Sequence, residues 1–183
     1  MTDSSESEGK KSLFGTLVIL FVLALVFMYF TIGRYFLGFD AYLLFAPYYS
    51  LLSDYTWSGK LLLWNPWSNC GSPDTAYVEM GSYSPLTIAH SFSTSGSADG
   101  FLLYWLTIWA IAGIGMYRLG NHLKAPLSYV LAITLSFMFS GFFLGNASHT
   151  SWLYAFSFLP LMVWRMDVCL LTGRKWPAIE AGA

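Results

Sequence analysis

Charge is what this sequence has least of. Only 10% of its 183 residues are Asp, Glu, Lys or Arg, against roughly 25% in an ordinary globular chain. A surface solvated on every side cannot be built from so few charges, which excludes an ordinary soluble domain. The net charge of -1 excludes a basic nucleic-acid face as well. Cysteine is equally scarce: Cys70 and Cys169 are the only two, too few for a disulfide scaffold. The topology derived below sets them near opposite membrane faces, and neither a redox nor a metal role follows from them.

What the chain does have is apolar residues, 56% of the total, with 19% aromatic. They come in long blocks rather than at periods of 2 or 3.6, so they do not line one buried face. A membrane crossing takes about 20 mostly apolar residues, and residues 13–33 supply one without a single charge. A cleaved signal peptide is the competing reading, but its apolar core is only about 7 to 15 residues and ends at small residues. Tyr29, Phe30, Ile32 and Arg34 stand where that site belongs. Further spans are predicted over 101–117, 126–145 and 147–171, with no repeat among them. The expected fold is an all-α membrane protein of about four transmembrane helices. Residues 34–100 form a long outer loop, and 1–12 and 172–183 form cytoplasmic tails, the first of them disordered.

Orientation follows from the basic residues at the span ends, which are retained on the cytoplasmic side. With the N-terminus inside, Lys10, Lys11, Arg118, Lys124, Arg174 and Lys175 are all cytoplasmic, and only Arg34 and Lys60 lie outside. A connection as long as 34–100 is functional or separately structured. It carries Trp57, Trp64 and Trp67 with seven tyrosines, rings suited to the headgroup layer. Tyr42, Phe45, Tyr49 and Leu52 share one side of a helical wheel, while Asp40, Ser50, Asp54 and Ser58 fall on the other. That pattern predicts interfacial helices in contact with membrane lipid. Pro47 divides them into two short pieces, the second beginning at Pro47 itself. Beyond them, Gly71, Pro73, Gly81 and Pro85 punctuate an irregular stretch.

Five carboxylates lie outside: Asp40, Asp54, Asp74, Glu79 and Asp99. Each is read first as part of a solvated face. Asp40 stands apart by position, where the apolar layer meets water just after the first span. A carboxylate held there is partly desolvated, and a desolvated carboxylate is the better base toward a bound hydroxyl. Asp74 and Glu79, five residues apart, are weak candidates for holding a divalent cation; no other cofactor is implied. His149 lies in the outer turn between the third and fourth spans, on the side of Asp40. It is either a satisfied interfacial histidine or a contact for a phosphate or acceptor. Arg34 and Lys60 either anchor to headgroups or clamp a phosphate. On the inner side, His122 between Arg118 and Lys124 reads as a headgroup contact, and Arg165 with Asp167 as snorkelling residues. Small residues four apart in the third span, Ala132, Ser136 and Ser140 and then Gly141 and Gly145, permit close helix approach.

The order of features in the loop resembles the N-terminal region of the YfhO-like bacterial membrane proteins, of the GT-C class of glycosyltransferases. The matching residues are Gly38-Phe39-Asp40, Pro47-Tyr48-Tyr49, Ser58-Gly59-Lys60-Leu61-Leu62-Leu63-Trp64-Asn65-Pro66, Gly71-Ser72-Pro73 and Tyr83-Ser84-Pro85-Leu86. Ser140-Gly141, His149 and Leu159-Pro160-Leu161 continue the pattern. Leu62 stands where the family run has Pro. The resemblance implies a bacterial inner-membrane enzyme that takes a sugar from a polyprenyl-phosphate carrier at the outer face. Asp40 matches the general base, and His149, Arg34, Lys60, Trp64 and Asn65 are the substrate-binding candidates. Family members are much longer, so the chain is expected to be an N-terminal piece that works with further transmembrane helices or a partner membrane subunit. The alternative is a non-enzymatic subunit whose aromatic loop binds a partner protein or lipid.

Overall fold

The computed structural model describes residues 2–33, 38, 40–68, 70–74, 79, 81–177 and 179, with side chains in the first helix described for 13–26, 28 and 29. The chain is mostly helical. Helix α1 runs Thr2–Gly33, followed by a π-helical turn Ala41–Phe45 and α2, Ala46–Trp57. A two-residue ladder, β1 (Trp64–Asn65) and β2 (Ser72–Pro73), precedes α3, Pro85–Ser93. Then come α4 (Ala98–His122), α5 (Leu127–Met138), α6 (Gly141–Gly145) and α7 (Thr150–Thr172). No proline interrupts 2–33, and α1 accordingly starts ahead of its apolar run, taking in residues expected as a tail.

Three stretches are long and apolar enough to cross a membrane: Ala98–His122, Leu127–Gly145 and Thr150–Thr172. Helix α1 adds a shorter apolar segment, Leu13–Val26, among its described side chains. The expected single helix over 126–145 is divided. Phe139 ends α5, and Ser140 is extended, with ψ 156°, before α6 begins. Trp109 explains how the break is tolerated, because its indole N–H donates to the Met138 carbonyl at 2.7 Å. Both residues are buried. Trp109→Phe leaves that carbonyl unpaired, and a loss of about 1–3 kcal/mol is expected, read as a lowered unfolding midpoint of the purified chain in detergent.

The chain divides into two compact units. The first holds α1, α4 from Ile108 onward, α5, α6 and α7 from Leu153 onward. Its close approaches use Gly15 of α1, which lies against the Tyr117 ring, and glycines of α4 rather than the small residues predicted in the third span. A β-carbon on Gly113 would stand 2.6 Å from the Met138 sulfur, and one on Gly115 2.9 Å from Leu161 Cγ. Gly141 and Gly145, by contrast, have nothing within 4 Å, and Ala132 and Ser136 are exposed. The pattern of small residues was real, but this chain closes up on α4 instead. Phe156 fills the space beside α6, with ring centroids 4.1 Å from Phe142 and 5.1 Å from Phe137. His122, expected to meet headgroups, instead pairs with Asp167 at 2.6 Å. An imidazole and a carboxylate near helix ends are less costly together than apart. Arg118 and Arg165 both lie on the Trp164 ring, at 5.6 and 5.1 Å from its centroid.

The second unit holds the π turn, α2, the ladder, α3, the first part of α4 through Thr107, and the turn Ala147–Trp152. Tyr48, Leu52 and Leu62 form its core, with Leu51, Tyr55 and Ile88 against them. Pro47 sits in the first turn of α2, as its missing N–H requires. The looser π turn before it makes the path nearly continuous where two separate pieces were expected. The apolar side of the predicted wheel is buried in protein: Phe45, Tyr49 and Leu52 are all buried. Tyr49 packs at 5.6 Å from both Phe101 and Tyr104. The stretch around Pro85 was expected to be irregular, yet Ser84 caps a helix there, accepting from the Thr87 N–H at 3.3 Å.

Candidate functional site

Asp40 and His149 meet within the second unit. Asp40 occupies the N-cap position of the π turn but makes no side-chain cap bond, so its carboxylate is not consumed by the backbone behind it. It turns instead to His149, whose Nδ1 lies 3.7 Å from Asp40 Oδ2. Both side chains are partly open, 35% exposed for Asp40 and 44% for His149. A ligand can therefore reach them.

Two local devices set this geometry. Gly38 has φ +112°, and a β-carbon there would come 2.9 Å from Ser148 Cβ. Only glycine allows the backbone before Asp40 to press this closely on the residue before His149. On the other side, Trp105 donates its indole N–H to the Ala147 carbonyl at 3.2 Å. The Trp152 N–H bonds the His149 carbonyl at 3.1 Å, and the Trp152 ring flanks the imidazole with centroids 5.6 Å apart. A carboxylate beside an imidazole on an anchored turn can accept a proton from a bound hydroxyl and orient the group that carries it.

The other predicted residues fall elsewhere. Arg34 lies outside the described residues. Lys60 is exposed at the rim of a cavity of about 250 Å³ that is also lined by Leu52, Leu62, Ser82, Tyr83 and Ile88. Trp64 is half exposed on β1, and a β-carbon on Gly71 would meet its ring at 2.7 Å. Asn65 is buried, and its Oδ1 accepts from the Trp67 N–H at 2.9 Å, closing the turn that follows β1. Asp74 is fully buried while Glu79 is exposed. Among the described residues no group of three His, Cys, Asp or Glu side chains could hold a metal ion. The chain turns Asp74 inward directly after β2. Burial raises the Asp74 carboxyl above its ordinary range, an effect opposed by the neighbouring Ser82 hydroxyl.

His90 sits in a dense polar network. Its Nδ1 bonds the Tyr49 hydroxyl at 2.9 Å, and that hydroxyl meets Thr94 Oγ1 at 2.6 Å. Its Nε2 lies 3.3 Å from Thr107 Oγ1. Burial lowers the ring's affinity for a proton below the ordinary histidine value, partly offset by a backbone hydrogen bond. The folded state thus prefers neutral His90, and the unfolded state binds more protons. Stability from this residue is complete above about pH 6.5 and is lost as pH falls through the lowered folded value. Unfolding midpoints measured from pH 8 to 5 are expected to fall less steeply in His90→Gln than in the parent. No short motif marks this network, because its members are scattered over α2, α3 and α4.

Exposed aromatic and aliphatic side chains also mark the second unit. Trp57, Trp64, Trp67, Leu61 and Leu63 are each more than half exposed. Trp57 stacks on Phe92 with centroids 4.2 Å apart.

Neither a family model, nor a curated protein, nor a solved structure matches this chain.

Proposed function

We propose that this chain serves a membrane glycosyltransferase reaction at the outer face of the bacterial inner membrane, with Asp40 as general base and the N-terminus cytoplasmic. The observation that carries the reading is the Asp40–His149 pair, two partly open side chains 3.7 Å apart on fixed turns. The order of loop motifs, which resembles the YfhO-like family, supports the same assignment. Asp40 takes the proton of an acceptor hydroxyl as its oxygen attacks the anomeric carbon. The bond from that carbon to the carrier phosphate oxygen breaks, and the polyprenyl phosphate leaves with the electron pair. His149 holds the acceptor or the phosphate beside the base. A lipid tail stays in the bilayer while its phosphate sits at the interface, so the exposed Trp152 beside His149 suits this substrate.

The test is transfer itself. Membranes bearing the complete protein, given a polyprenyl-phosphate sugar labelled in the sugar, are expected to move label to an acceptor. An intact carrier in acceptor-rich membranes speaks against the reading. The exposed Trp57, Trp64 and Trp67 also favour a second reading, a subunit that binds a partner protein or lipid through this face. That reading predicts a stoichiometric complex after purification in mild detergent, with no dependence on Asp40.

A further inference from the structure

The most unusual group in the second unit is Asp74, which the proposed reaction does not use. Its residue is 0% exposed, and neither carboxylate oxygen has a hydrogen-bond partner among the described residues. Ser72 Oγ, two residues away, is buried and likewise has no partner among the described residues. Pro73 between them is exposed, while Ser72 on β2 and Asp74 directly after it are both buried. Asn65, buried, stands opposite Ser72 in the ladder. The neighbouring Ser82 hydroxyl opposes the effect of burial on the carboxyl, and is engaged with Tyr48 Oη at 2.5 Å.

We propose that Asp74, with the Ser72 and Ser82 hydroxyls and the Asn65 side-chain oxygen, holds one hard monovalent cation of the size of sodium. A buried carboxylate must be neutralised by a proton or a cation. A proton would satisfy one oxygen and leave Ser72 Oγ as it stands. One cation satisfies the carboxylate oxygens and Ser72 Oγ together, since all of them can offer lone pairs. The Asn65 Oδ1 keeps a second lone pair beside the one given to Trp67. An all-oxygen set without His or Cys selects a hard ion. A single carboxylate is balanced by one positive charge, whereas a divalent ion would leave a net charge in a dry site.

The test uses the purified full chain in detergent, with its unfolding midpoint followed as sodium chloride replaces choline chloride at constant ionic strength. A saturable rise of about 3–6 °C is expected at sodium well above its dissociation constant. Asp74→Asn removes the charge and abolishes the sodium response. Ser72→Ala removes one neutral ligand and weakens the apparent sodium affinity about tenfold; it decides the matter if Asp74→Asn does not fold. Equal midpoints in sodium and choline overturn the site, as does a sodium response that survives either substitution unchanged. A response to calcium but not sodium overturns the charge balance on which the assignment rests.

Discussion

Asp40→Asn is expected to lower sugar transfer by about 10²–10⁴-fold, the range that a positioned general base contributes. Asn keeps the size and shape of the side chain but cannot accept a proton from the acceptor hydroxyl. The carboxylate makes no cap bond and is partly open to solvent, so little of the fold rests on it. An unchanged unfolding midpoint with lost transfer is therefore the expected combination. Label release into the aqueous phase, measured beside that midpoint in one preparation, separates the two effects. Asp54→Asn supplies the contrast. Asp54 is exposed on α2, and its backbone carbonyl accepts from the Ser58 hydroxyl and N–H. Its substitution should leave transfer within about twofold of the parent, since a surface change usually alters stability by no more than about 0.5 kcal/mol.

The second large effect is on stability. Gly96 has φ +61°, and a β-carbon there would come 2.7 Å from the Ser50 Cα and 2.9 Å from Ser53 Cβ. The loop after α3 therefore lies directly on α2, with backbone against backbone and nothing flexible to give way. Gly96→Ala combines left-handed strain with overpacking, together about 2–5 kcal/mol. Gly59 separates the two contributions. Its φ is +66°, close to that of Gly96, but nothing lies within 4 Å of the position a β-carbon would take. Gly59→Ala should cost only the conformational part, about 1–2 kcal/mol. Denaturant midpoints of both variants give the contact contribution by difference.

The long apolar helices were legible because the signal is composition over a length, and neither depends on knowing the neighbours. The second and fourth predicted spans fall on α4 and α7 with only their ends displaced. What escaped depends on neighbours. The break at Ser140 needs the Trp109 indole to take the Met138 carbonyl, and nothing within 126–145 announces a partner from another helix. Small residues four apart mark a surface able to approach another, but do not say whether it does so. Here the glycines of α4 make the approach. The wheel of α2 was right in its periodicity and wrong in its partner: an apolar stripe looks the same whether lipid or Phe101 and Tyr104 cover it. Ser84-Pro85 was read as a break although the same pair is a helix start.

The site divides in the same way. Asp40 could be singled out alone, from its position after an apolar run. His149 shared a side with it by topology, and their contact needed the Gly38–Ser148 approach, which spacing does not encode. Asn65 belonged to a motif whose order suggested a ligand contact, and its oxygen accepts the bond that closes a turn. Asp74 looked like half of a carboxylate pair and is a solitary buried group.

The central claim is that Asp40 and His149 act as one unit in transfer. A double-mutant cycle measures this directly, from the rates of the parent, Asp40→Asn, His149→Gln and the double variant. Groups that work together are expected to be non-additive, so the double variant should be little slower than Asp40→Asn alone. Losses that multiply across the two substitutions would contradict it, since that is the behaviour of two residues with separate roles.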